Sequence, residues 1–311
     1  IMIAGVFNRN YKLFVVSLIL LLGTLIYSNT FYSSFNFDDV SSIVDNSAIR
    51  NILNLQAIWN FWPTRFITYL SVAFNYYFSQ LNVFSYHIFN LIIHLGCAIL
   101  VWWLMLLTFS APAMKEQKIT KHAKLIAFFA WLIFVAHPIQ TQAVTYIVQR
   151  AASLATLFYL GSLVLYVKSR LLEQQGGDLK VSRAFYYGSL IVAIIAMFTK
   201  EMTITLPLII LLYEICFLRI SKKLNWKQLA PFLATLLIIP FTMFLTKDID
   251  FMGMKRSLDG PVSISSWQYL LTQFRVIVTY LRLLFIPINQ NLDYDYSIAS
   301  SLLALPILSS F

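Results

Sequence analysis

Polar and ionisable side chains that could act together are few in this sequence, and most of them stand at the ends of long apolar runs. Asp38 and Asp39 follow the first run, Arg65, His87, His137, Arg150, Lys200 and Glu201 lie at the ends of later ones, and Arg275 and Arg282 interrupt another. Ionisable groups at membrane depth are costly, so those that are kept there are candidates for function. The competing account is that they lie at the interface, satisfied by headgroups and water, with the long cationic side chains snorkelling outward. Arg275 and Arg282 are seven residues apart, about two helical turns, and so share a face that suits a lipid phosphate. Neighbouring side chains in an extended stretch point to opposite sides, so Asp38 and Asp39 should do different jobs. Like charges this close favour the protonated form of at least one of them, which helps a base, while nearby cations oppose that.

His87 and His94 are also seven residues apart, with Asn90 between them. Histidines that share an ion on a helix are usually closer, so helix-to-helix hydrogen bonds are the expectation there. Glu214, toward the inner end of its run, should pair with a neighbouring Arg or Lys.

The elements that carry these residues follow from composition. The chain has 311 residues, of which 59% are hydrophobic and only 12% charged, and this excludes an ordinary soluble domain. Leu13 to Tyr27 is long and free of charge and, with its flanks, reads as a span of the roughly 20 residues a bilayer requires. Further spans are expected at Tyr86 to Leu107, Leu125 to Ala136 (closed by His137-Pro138), Ala151 to Val167 and Leu229 to Leu245. Ala184 to Leu218 is too long for one span and reads as a hairpin with Lys200-Glu201 at its outer turn. Trp267 to Ile286 could cross the membrane or lie along it. Residues 28–85 should form a large first loop, with an interfacial helix over Arg65 to Leu81, and residues 247–301 a later loop and helix. The whole of 1–311 is expected to be one transmembrane domain. Because the sequence stops inside an apolar run, Leu302 to Phe311, a C-terminal part is expected beyond it.

The net charge of +10 raises the question of a nucleic-acid partner. The positions of the basic residues argue against one. Arg9 and Lys12, the lysines from Lys115 to Lys124, the group Lys168, Arg170, Lys180 and Arg183, and the group Arg219, Lys222, Lys223 and Lys227 fall in alternate loops. By the positive-inside rule those loops are cytoplasmic, and the Asp38-Asp39 loop is on the opposite side. Cys97 and Cys216 each lie in an apolar run and are expected to be buried as small hydrophobes.

In order along nearly the whole chain stand Phe37-Asp38-Asp39 with Ile43 and Asn46, then Arg65 and Thr68, Asn75-Tyr76, Tyr86-His87 with Asn90-Leu91 and His94, and His137-Pro138 with Thr141, Ala143-Val144 and Arg150-Ala151. Lys200-Glu201 follows, then Tyr280-Leu281 with Leu283-Leu284 and Pro287, and Leu292-Asp293-Tyr294. No single block is specific, but the ordered set resembles the membrane part of the transmembrane and tetratricopeptide-repeat-containing O-mannosyltransferases and their bacterial relatives. Phe66 stands where that family usually has Pro, Gln142 where it usually has Glu, and Ala152-Ser153 where an acidic residue follows the Arg. The helical repeats of its C-terminus are not in this sequence.

The resemblance implies an all-α, polytopic membrane enzyme of the GT-C glycosyltransferase fold, which takes its sugar from a polyprenyl phosphate on the extracytoplasmic face and passes it, with inversion, to an acceptor hydroxyl on a protein or glycan. Under it, Asp38 or Asp39 is the base, Arg150, Lys200, Arg275, Arg282 and His137 hold the donor phosphate, and Glu201, Arg65 and His87 support them. The expected partners are the lipid-linked sugar, membrane lipid and the acceptor. No metal ligand set is assigned, and help from a divalent cation stays open. A bacterial cytoplasmic membrane is expected ahead of the endoplasmic reticulum. Two other classes stay in view: a catalytically degenerate scaffold subunit of the same fold, and a lipid-linked-sugar flippase or transporter, which would show charge near the midplane and repeat-related broken helices.

Overall fold

The computed structural model describes residues 9–220, 224–246, 265–292, 294 and 296–298. Lys222, Lys223, Lys247, Lys255, Arg256, Asp293 and the run Leu302 to Phe311 lie outside them. Among the described residues there is no strand, and seven helical segments are long and apolar enough to cross a membrane: Arg9–Thr30, Val83–Phe109, Lys118–Ala136, Ile147–Gln174, Leu179–Met197, Glu201–Leu218 and Trp226–Leu245. Each covers one of the runs expected from hydropathy. The long stretch 184–218 divides just before Lys200-Glu201, which forms the turn of a hairpin. The chain separates into two compact units, Ile1–Thr246 and Lys247–Phe311.

In the first unit, α1 (Arg9–Tyr27) leads through a first loop that carries α2 (Leu55–Phe61) and α3 (Phe66–Ser79) into α4 (Val83–Phe109). Then come α5 (Ala123–Ala136), the short α6 (Thr141–Thr145), α7 (Arg150–Gln174), α8 (Leu179–Met197), α9 (Leu206–Tyr213), α10 (Trp226–Ala234) and α11 (Ile238–Leu245). Pro138 cannot continue α5, so that helix stops at Ala136, and the His137 imidazole caps the next turn by accepting the Ile139 N–H at 3.2 Å.

Helices α1, α4 and α5 pack around Ile19, Leu95, Trp102 and Trp131, while α7 to α11 pack around Val164, Tyr166, Met197, Ile210 and Phe232. A Cβ on Gly23 would come within 2.2 Å of Leu95 Cδ2, so the glycine lets α1 approach α4 closely. Between antiparallel α7 and α8 two reciprocal serine pairs set the register. Ser162 and Ser189 each give their hydroxyl to the other's carbonyl, at 3.0 and 2.7 Å, and two turns away Ser169 and Ser182 do the same at 2.9 Å each.

At the end of the bundle away from the Lys200-Glu201 turn, Arg170 grips Glu214 through Nε (3.1 Å) and Nη2 (2.8 Å), and Tyr166 Oη donates to the same carboxylate, which is the pairing expected for Glu214. The expectation that both cysteines are buried holds only for Cys97. Cys216 is exposed, because Glu214 and Leu218 take the inward face of their turn and leave the position between them pointing out of the bundle.

The first loop has a core of its own. Ile43, Ile49, Ile58, Tyr69, Val72 and Tyr86 gather there with Ile147. Burying an isoleucine side chain contributes roughly 1.5–3 kcal/mol, so three fully buried ones oppose much of the entropy of ordering the loop.

The second unit is built on α12 (Ser266–Phe285), which starts at a capping box between Ser265 and Gln268.

Candidate active site

The chain enters the Asp pair through Phe37, whose φ of 47° lies in the left-handed region that a bulky side chain avoids. After this elbow the two carboxylates diverge. Asp39 is 1% exposed, and both its oxygens are engaged: Oδ2 accepts the Asn36 N–H at 3.1 Å and Oδ1 the Val148 N–H at 2.7 Å. Burial pushes its pKa up from the ordinary carboxylate value, while these two N–H donors and His87 pull it down. Asp38 has an exposed side chain, and its backbone N–H donates to Tyr146 Oη at 2.9 Å.

Arg150, the first residue of α7, is 0% exposed. Its Nε donates to Asn90 Oδ1 (2.8 Å) and its Nη2 to Asn75 Oδ1 (2.8 Å) and Tyr86 O (3.2 Å), while Nη1 reaches Ser71 O (3.3 Å). The guanidinium also lies 4.6 Å from the Phe89 ring centroid. Arg150 is expected from the resemblance to hold the donor phosphate, but all its hydrogen bonds run to protein acceptors on α3 and α4. A guanidinium is all donor, so a cluster of neutral amide and carbonyl oxygens can hold it buried.

The hairpin turn is tied to the other end of α3. Arg65 meets Glu201 in a fork, Nε at 3.0 and 3.1 Å from the two oxygens and Nη2 at 3.0 Å from Oε2. Thr64 Oγ1 (2.7 Å) and Trp62 Nε1 (3.3 Å) also donate to Glu201 Oε1, and the Arg65 guanidinium covers the Trp62 ring at 4.0 Å. Two more bonds seal the contact: Ile67 N–H to Phe198 O at 2.9 Å and Thr68 Oγ1 to Thr199 O at 2.7 Å. Glu201 thus pairs with Arg65. Lys200 beside it is partly buried and makes no side-chain hydrogen bond to a described residue; burial first, and Arg65 second, pushes its pKa below the ordinary lysine value.

The remaining candidates are scattered. His87 Nε2 lies 3.0 Å from Ser33 O, joining α4 to the first loop. His94 packs between Tyr27 and Phe134. His137 caps its own turn, as above. In the second unit Arg275 Nη1 donates to Ser297 Oγ at 3.1 Å and Arg282 Nη1 to Ile288 O at 3.5 Å. No group of three or more His, Cys, Asp or Glu among the described residues could hold a metal ion.

Within the first unit α3 is the common bar: its start holds the 198–201 turn, and Ser71 and Asn75, within about 15 Å further along, hold Arg150. Tyr146 carries no motif that marks it in the sequence. The signal was faint, a tyrosine at the break between α6 and the Ile147–Gln149 turn, where extended backbone (φ −85°, ψ 111°) frees a side chain from both helices.

No family model matches the chain, and no solved structure matches it. Curated relatives do. It is 29% identical to Protein O-mannosyl-transferase TMTC3 of Homo sapiens over 219 residues, covering 66% of this chain and 22% of that protein. It is 29% identical to Protein O-mannosyl-transferase TMTC2 of Homo sapiens over 223 residues, covering 68% and 24%. With Protein O-mannosyl-transferase F38B6.6 of Caenorhabditis elegans the identity is 26% over 295 residues, covering 89% and 38%. The chain therefore spans about a fifth to two fifths of the length of these relatives. The resemblance carried by its ordered blocks is borne out: this all-helical, multi-pass chain is similar to proteins named protein O-mannosyl-transferases.

Proposed function

We propose that this chain is the membrane part of a glycosyltransferase that moves a sugar, mannose by the names of its relatives, from a polyprenyl phosphate to a hydroxyl of an acceptor protein. One observation supports the assignment of the base: burial and two N–H donors occupy Asp39 and leave Asp38 as the exposed carboxylate of the pair. The acceptor oxygen bonds to the anomeric carbon, its proton passes to the Asp38 carboxylate, and the carbon–oxygen bond to the phosphate breaks with its electron pair going to the phosphate. A single displacement inverts the anomeric carbon. The phosphate is already a good leaving group, so the site needs a cation for it more than a strong acid; Lys200, partly buried and in no ion pair among the described residues, takes that role. Arg65 and Glu201 fix the turn that carries it. On the second unit, Arg275 and Arg282 form a cationic face for a lipid phosphate. Arg150 and Asp39 serve as structural clasps.

The reaction lies on the side opposite the lysine-rich loops. An impermeant thiol reagent should label Ser34→Cys from that side and Lys118→Cys from the other; the reverse pattern sinks this topology. For the chemistry, transfer from a radiolabelled mannosyl polyprenyl phosphate to acceptor protein is measured with the full chain in vesicles. Asp38→Asn should lower turnover by about 10²–10⁴-fold with donor binding nearly intact. Full turnover in Asp38→Asn removes the base, and the absence of any transfer by the unaltered chain leaves the scaffold reading.

A further inference from the structure

We propose that Tyr146 is the positioning residue of the Asp38 base, its hydroxyl fixing the Asp38 backbone and orienting the carboxylate; this rests on the assignment of Asp38 above. The Tyr146 ring is buried at 9% exposure, and its oxygen accepts the Asp38 N–H at 2.9 Å. With that lone pair used, the O–H proton is turned toward other acceptors, and the charge of the Asp38 carboxylate acts on the phenol. Burial first, helped by the charges of Asp38 and Asp39, pushes the phenol up to about 12, so the group stays a neutral donor across the range in which such an enzyme works.

Geometry explains why such a holder is needed. Phe37 turns through a left-handed φ of 47°, which a bulky non-glycine residue adopts only at a cost, so the elbow before Asp38 keeps its shape only if later residues hold it. Tyr146 and Val148 do so together. Tyr146 takes the backbone of Asp38, and two residues on, Val148 takes the carboxylate of Asp39. One short stretch thus secures both acidic residues, the first by its main chain so that its carboxylate stays open to the acceptor. In the transfer step Tyr146 keeps its proton and donates a hydrogen bond to one Asp38 oxygen, while the other receives the proton of the acceptor hydroxyl.

The test compares Tyr146→Phe, Asp38→Asn and the full chain carrying 3,5-difluorotyrosine at position 146, which keeps ring and hydroxyl but makes the phenol more acidic. Tyr146→Phe should lower kcat about 10–100-fold with donor KM unchanged, because a small misplacement of the base acts on the chemical step. The difluorotyrosine enzyme should lose activity at lower pH on the alkaline side of its kcat profile, a shift that a merely structural tyrosine would not cause. If Asp38→Asn is inactive while the difluorotyrosine profile coincides with that of the natural enzyme, Tyr146 is not the positioning residue and the base still stands. If Asp38→Asn is fully active, the base itself is gone. Should Tyr146→Phe fail to fold, the difluorotyrosine profile alone decides.

Discussion

Asp39 Oδ1 and the backbone N–H of Val148 are joined at 2.7 Å across 109 residues, so a carboxylate of the first loop holds the turn that precedes α7. Replacing Asp39 by Ala leaves the Asn36 and Val148 N–H groups without their acceptor. Each loss costs about 1–3 kcal/mol where water does not reach, so the thermal midpoint in detergent should fall clearly. Asp38→Ala should leave that midpoint almost unchanged. The pH dependence has a definite sign. Because the folded state raises the Asp39 pKa, it binds the proton more tightly than the unfolded chain does. The contribution of Asp39 to stability is therefore greatest below the ordinary value of 3.8 and declines as pH rises from there through the raised value. Asp39→Asn should lose this component of the pH dependence, which melting curves from pH 3 upward would show.

Lys200 shifts the other way, since burial and the neighbouring Arg65 favour its neutral form. A phosphate favours the ammonium, so donor binding takes up a proton wherever free Lys200 has begun to lose its own. Donor affinity should then weaken on the alkaline side below the ordinary lysine value of 10.5. Lys200→Arg keeps its charge over that range and should flatten the limb. Binding titrations with the lipid-linked sugar from pH 7 to 10 check this, and an identical limb in both proteins removes Lys200 from the phosphate site.

Arg150 divides a structural role from a ligand role. Lys in its place carries the charge, but one ammonium cannot reach the side chains of both Asn75 and Asn90 as the guanidinium does. Arg150→Lys should therefore destabilise the protein on the order of 3 kcal/mol, read as a lower thermal midpoint and poor recovery from the membrane. A variant that melts normally yet no longer binds donor would return Arg150 to the phosphate.

The long spans were legible because hydropathy and charge are properties of composition over a window, and membrane solvation rewards them directly. His137-Pro138 marked a helix end because proline lacks the N–H a helix needs. The core of the first loop was not legible. Ile43, Ile49 and Ile58 follow no single period, and they meet Tyr69 and Tyr86 only after the loop closes on itself. The exposure of Cys216 was not legible for a similar reason: a run of apolar residues does not say which of them faces the bundle.

By itself the sequence determined that this is an all-helical membrane chain with its acidic pair at the exit of the first span, and that its polar blocks follow the order found in the O-mannosyltransferases. Tertiary structure alone decided how those blocks are used. Arg150 and Lys200 are both cations at the start of an apolar run, yet one is enclosed by amides from α3 and α4 and the side chain of the other makes no hydrogen bond among the described residues. Asp38 and Asp39 are chemically the same residue. What separates them is the placing of Tyr146 and Val148 more than 100 residues away: the Tyr146 hydroxyl accepts the backbone N–H of Asp38, whereas the Val148 N–H is donated to the carboxylate of Asp39.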